Sequence, residues 1–183
     1  MGTTAGVPRL LPLAVAAAIA LIPASASAAT TLATPDGTLR PQPYQGWVDG
    51  SLMPTPDGTV TLSLDGCGGG LSCAPEGERS ILLSPDWASR QVVLHELGHV
   101  FDDTMPAWAR TRFQTIMRKG GAWASTSTAT PANEQFAEGY SLCARRTTIR
   151  ERYDGGYHYS PTPAQHRAVC SVIRQAAGLP ARR

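Results

Sequence analysis

Histidine is scarce in this chain, with four in 183 residues, and charge is nearly balanced at 16 Lys and Arg against 14 Asp and Glu. A net charge of +2 is too small to suggest nucleic acid as a partner. Beyond the N-terminal region no apolar run is long enough to cross a bilayer. There is no C-x-x-C pair, which argues against the four cysteines as a zinc cluster. What the chain does possess is a telling placement of two of its four histidines.

The N-terminal apolar run at 10–22 follows Arg9 and leads into Ala24, Ser25, Ala26, Ser27 and Ala28. A positive flank, a short apolar stretch and A-x-A sites after Ala26 or Ala28 have the form of a secretory signal peptide at 1–28. Export is therefore expected, with a flexible N-terminal arm at 29–46, rich in Thr, Pro and Gly, and one domain at 47–183. In an exported chain four cysteines imply two disulfides, for which three pairings exist. Cys67 and Cys73 bracket a glycine-rich loop that a local bridge could close, leaving Cys143 with Cys170.

Residues 91–101 read Q-V-V-L-H-E-L-G-H-V-F. On a helix, His95 and His99 leave the same face one turn apart. That spacing lets both imidazoles reach one zinc ion at about 2.0–2.1 Å. Glu96, beside the first histidine, is placed to hold and deprotonate a water on the metal. Bulky neighbours such as Val93, Leu94 and Leu97 make the helix a buried one. Gly98 inside it costs about 1 kcal/mol relative to alanine, so another backbone is expected to approach there. Asp102 and Asp103 oppose the helix dipole and need partners.

Alternation at 59–64 predicts a half-buried strand, 80–83 a second short one, and Trp47–Val48 the start of another. Helices are expected at 86–102, 105–119, 131–145 and from Pro163, with Thr162 as cap and Gly178 as stop. The fold class is α+β, a small twisted sheet packed on the His95 helix with further helices C-terminal to it.

A catalytic zinc takes three protein ligands and keeps one position open. Asp102 sits about 7 Å along the axis beyond the midpoint of the two histidines, too far for its short side chain, so a supporting role is expected for it. The H-E-x-x-H-x-x-G-x-x-H extension is absent, since Asp102 and Met105 occupy those places. Glu134, in Asn133-Glu134-Gln135-Phe136-Ala137-Glu138, is the better third ligand. Glu134 and Glu138 are four apart on one helix, a like-charge pairing unfavourable by about 0.2–0.5 kcal/mol. A dication removes the objection if Glu134 binds it and Glu138 accepts a hydrogen bond from the outer nitrogen of a liganding histidine. Cys143 lies half a turn round that helix and points away from the metal, so a Cys143–Cys170 bridge would staple it to the last helix.

The combination of H-E-x-x-H with the downstream N-E-x-x-x-E resembles the gluzincin branch of zinc metallopeptidases. Thermolysin-like enzymes carry N-E-x-x-x-D after H-E-x-x-H, and the catalytic domain of anthrax lethal factor carries E-x-F-A-E, similar to residues 134–138. The resemblance, which covers residues 91–142, implies a zincin-like fold, a Zn2+ cofactor, Glu134 as ligand and Glu138 as its supporting carboxylate. Tyr157, His158 and Tyr159 sit in a glycine-rich turn that could bring a phenol or imidazole to the metal, with Tyr157 and His158 the expected oxyanion donors, or that could be a surface loop with aromatic anchors. His166, on an apolar helix stripe, reads as a core histidine. The expected activity is hydrolysis of a peptide or protein substrate by a secreted monomer, the substrate pairing with the edge strand at 80–83. Rival readings are a zinc amidase of cell-wall peptides and a non-catalytic exported module whose metal only holds the fold.

Overall fold

The computed structural model describes residues 1–2, 29–124 and 130–181. Nearly all of the expected signal peptide, and most of the Ser/Thr/Ala loop at 125–130, lie outside the described residues. The class is α+β. Strands β1 (Thr30–Ala33), β2 (Gly58–Ser63) and β3 (Ser80–Leu82) form a sheet in that order, parallel throughout. Five helices accompany it among the described residues: α1 (Tyr44–Asp49), α2 (Arg90–Asp103), α3 (Ala107–Met117), α4 (Ala132–Arg145) and α5 (Pro163–Ala176).

The predicted alternation holds in β2, where Val60 and Leu62 are buried and Thr59 and Thr61 exposed. Residues 29–46 depart from the expected loose arm, because they supply β1 and the first turn of α1. Pairing with β2 supplies the order that local composition lacks, Thr30 lying opposite Gly58 and Ala33 opposite Thr61. The outer edge of β1 is closed by Arg40 N, which donates to Leu32 O at 2.7 Å, and by one side chain. Gln45 accepts from Leu32 N at 2.7 Å and donates to Thr30 O at 3.1 Å, which satisfies backbone groups that an open edge would leave unpaired. Trp47 and Val48 lie in α1 rather than in a strand.

Helix α2 starts later than periodicity suggests. Ser84 and Pro85 open a separate 3₁₀ turn at Pro85–Trp87, and Ser89 then caps α2 by accepting from Val92 N. Its apolar residues Val93, Leu94 and Leu97 are fully buried. The acidic end is satisfied: Asp102 accepts from Arg110 Nε at 2.9 Å and Trp123 Nε1 at 2.6 Å, and Asp103 from Gly77 N at 3.0 Å. Helix α5 has the expected Thr162 cap, completed by Gln165 into a capping box.

The close approach at Gly98 is to α4. A Cβ added there would lie 3.0 Å from Ala137 Cα, 3.1 Å from Tyr140 Cβ and 3.2 Å from Ala137 O. Two bridges complete the framework, Cys67–Cys73 and Cys143–Cys170, the second joining α4 to α5 on the side away from α2. His166 is fully buried beside that bridge, with its Nε2 2.9 Å from Arg146 O. Among the described residues no helix is long and apolar enough to cross a membrane.

Candidate metal centre

Helix α2 presents His95 and His99 to α4, which crosses it at Gly98, and α4 returns Glu134 from its first turn. Glu134 Oε2 lies 3.2 Å from His95 Nε2 and 3.4 Å from His99 Nε2. One ligand atom from each of the three residues falls within 4.8 Å of the others. In a tetrahedral zinc site with bonds of about 2.0–2.1 Å, neighbouring ligand atoms stand about 3.3–3.4 Å apart. Both nitrogens stand at that spacing from the carboxylate oxygen, and the three donors fit such an ion in number and chemistry.

The outer nitrogen of His95 is engaged as expected, with Nδ1 3.4 Å from Glu138 Oε2. Glu138 is held in turn at its other oxygen by Gln91 Nε2 at 3.2 Å and the Tyr153 hydroxyl at 3.1 Å. Sequence reasoning missed both donors. Gln91 could have been found, being one turn before His95 on the same helix face; nothing in the spacing points to Tyr153. Gly155 is needed beside it, since a Cβ there would meet Tyr153 Cε1 at 2.4 Å and Glu138 Oε1 at 3.0 Å. Asp102 supports Arg110 and Trp123 at one end of the cavity and makes no hydrogen bond to either histidine.

Burial works against the His95 imidazolium, but the hydrogen bonds to Glu134 and Glu138 outweigh it and raise its pKa to about 9. Burial would raise Glu134, yet bonds from His95 and His99 hold it far below the ordinary carboxylate value. Glu138 is lowered as well, since its bond to His95 outweighs its burial. Glu96 shifts the other way. Burial pushes its carboxyl up against the opposing charges of His95 and His99. A carboxylate made more basic and facing the cavity is suited to accepting a proton.

Tyr157 and His158 separate. Tyr157 stacks on His95, with ring centroids 5.3 Å apart and planes inclined by 25°, and its phenol lies near Glu134. Burial and the charges of Glu134 and Glu96 push its phenol up to about 12, so it stays protonated and can donate. Its backbone is left-handed, with φ 54° and ψ 28°, a conformation that costs a non-glycine residue about 1–2 kcal/mol. Gln135 Nε2 helps hold it there, donating to Tyr157 O at 2.8 Å. His158 is exposed and lines neither cavity at the site.

The edge at 80–83 is not open to a substrate. Leu82 N donates to Cys73 O at 2.8 Å and Cys73 N to Leu82 O at 3.0 Å, so the chain at 72–74 lies against β3 and forms the rim of the cavity instead. Cys143, His166 and Cys170 also converge, but the two sulfurs are bonded to each other and neither is available as a thiolate ligand.

No known protein family, curated protein or solved structure matches the chain.

Proposed function

We propose that the protein is a secreted, zinc-dependent endopeptidase with a zincin-like fold of gluzincin type. The observation that carries this reading is the meeting of His95, His99 and Glu134, whose Oε2 lies 3.2 and 3.4 Å from the two imidazole nitrogens, with Glu96 on the same cavity wall. Two disulfides fit an oxidising compartment, and the N-terminal sequence supports export. His95, His99 and Glu134 would hold the ion, which would supply Lewis-acid polarisation of the carbonyl and of the attacking water. Glu138 fixes the ring of His95, with Gln91 and Tyr153 fixing Glu138. Glu96 accepts the proton of the attacking water and passes it to the leaving amine nitrogen. The Tyr157 hydroxyl donates to the scissile carbonyl oxygen as negative charge develops there. The chain at 72–74, along the rim, takes the role first expected of the strand edge and lines up an extended substrate.

The test is hydrolysis of casein and an unbiased peptide library by zinc-loaded protein. Glu96→Gln should abolish cleavage and leave metal content and fold intact. Tyr157→Phe should lower kcat by about 10²–10³-fold with little change in KM. Cleavage by Glu96→Gln at the native rate refutes the mechanism; a fully loaded native protein that cleaves nothing refutes the activity.

A further inference from the structure

We infer that the protein has a second binding site, remote from the metal centre, in which the segment after α4 and one face of α5 take a phosphate group. The site goes beyond the proposed peptidase activity and does not depend on it. Arginine recurs at 145, 146, 150 and 152 and again at 167 and 174, and no step of the proposed reaction uses these residues. Arg167, Ser171 and Arg174 are four and three residues apart, so on α5 their side chains leave one face. Thr147 and Thr148 stand against them across a cavity of about 170 Å³, with the buried Met53 as its apolar wall. Sites for drug-sized ligands run to about 300–1,000 Å³, so this cavity suits a small group. No carboxylate lines it.

Guanidinium groups keep their charge at any physiological pH, and two that share a cavity repel each other until an anion offsets them. Among the described residues neither Arg167 nor Arg174 makes an ion pair. Arg174 engages Nε alone, donating to Pro180 O at 3.2 Å. A third cation stands close by. Burial, and after it the charges of Arg146 and Arg167, lower the pKa of His166 against its bond to Arg146 O, so both guanidinium groups lie near that ring. Ser171 Oγ accepts from Gln175 Nε2 at 2.9 Å, which leaves its O–H to donate. Cations and hydroxyls without an acid among them match the charge and the acceptor oxygens of phosphate, which arginine holds bidentately. The walls are set before a ligand arrives. Cys143–Cys170 ties α4 to α5 and itself lines the cavity through Cys170, while His166 Nε2 lies 2.9 Å from Arg146 O, next to the two threonines. Little ordering is then left to oppose binding. This cavity shares no residue with either cavity at the metal centre.

The experiment titrates the native chain with inorganic phosphate and with glycerol 3-phosphate by calorimetry in chloride buffer, and sediments it with vesicles of phosphatidylglycerol or of phosphatidylcholine. Arg167→Gln, the pair Arg167→Gln and Arg174→Gln, and the pair Arg112→Gln and Arg118→Gln are run alongside, the last removing equal charge from exposed positions at α3. Circular dichroism checks that each variant is folded, and the single change at the exposed Arg167 keeps the test open if the first pair is not. The expected result is saturable binding of a phosphate-bearing probe, weakened about 10-fold or more by the α5 pair, less by Arg167→Gln alone, and unchanged by the α3 pair. Binding of the soluble phosphates without the vesicles supports the site with a free phosphate or phosphate ester as its ligand. Binding of phosphatidylglycerol vesicles, and not of phosphatidylcholine, supports it with a lipid headgroup. Binding of no probe, or binding that the α3 pair weakens as much as the α5 pair, overturns the inference and leaves the peptidase proposal untouched.

Discussion

Gly98→Ala probes fold and site together. Alanine improves intrinsic helix propensity by about 1 kcal/mol, so an isolated α2 would gain. In the protein the new methyl would stand 3.0 Å from Ala137 Cα, 3.1 Å from Tyr140 Cβ and 3.2 Å from Ala137 O, all inside ordinary van der Waals separation. Two of these atoms are backbone of α4 and cannot rotate away, so the helices must part by several tenths of an ångström. Overpacking of this kind costs about 1–3 kcal/mol, which leaves a net destabilisation of roughly 0–2 kcal/mol after the propensity gain. The consequence for the site is larger than that figure suggests. Glu134 rides on the helix that moves and His95 and His99 on the one that stays, while metal–ligand distances tolerate only about 0.2 Å. Zinc affinity should fall by about 10-fold or more, in line with the 10–100-fold seen when supporting groups are lost. Urea unfolding of the chelated protein and competition with a zinc chelator measure the two effects separately. A Gly98→Ala variant that is more stable than the native protein and binds zinc equally well would refute the claim that this glycine sets the helix spacing.

Glu138→Gln keeps the shape of the side chain but weakens its hold on His95, and should cost about 10–100-fold in metal affinity, read by the same chelator competition; an unchanged affinity would deny Glu138 its role. Metal binding should also depend on pH. With the His95 pKa raised to about 9 in the metal-free protein, an incoming ion must displace a proton, so affinity should rise about 10-fold per pH unit between pH 7 and 9 and level off above; a flat profile across that range counts against it. The same shift has a stability sign. A pKa raised from 6.5 to about 9 stabilises the metal-free fold fully below about 6.5 and loses that contribution as pH rises through about 9. The lowered Glu134 acts oppositely, its contribution being present above its unfolded value of 4.5 and lost as pH falls through the lower folded one. Chelated protein should accordingly resist urea best between about pH 4.5 and 6.5 as far as this pair is concerned, and less at pH 9.5.

Local chemistry made much of this protein legible in its residues. H-E-x-x-H fixes two imidazoles on one helix face by the 3.6-residue repeat alone, and the pair Glu134 and Glu138 signals itself because like charges at that spacing are relieved by positive charge or hydrogen-bond donors. The half-turn offset of Cys143 points it away from Glu134, towards Cys170, and Gly98 announces a neighbour without naming it. Tertiary structure decided which groups come together across the chain. Residues 29–46 carry no periodic signal, yet β1 forms because β2 and the Gln45 amide satisfy its backbone. The edge at 80–83 looks free in one dimension and is closed by Cys73, brought back by a disulfide loop. Tyr157 and His158 are neighbours that both have a left-handed φ of 54°, and only the folded turn, held at Tyr157 O by Gln135, puts the first over His95 and leaves the second in solvent. Tyr153 reaches the site from a segment with no recognisable motif. Helical repeat and charge act over one turn and can be read along the chain, whereas these contacts span tens of residues and exist only once the helices and the sheet have buried their apolar faces against one another.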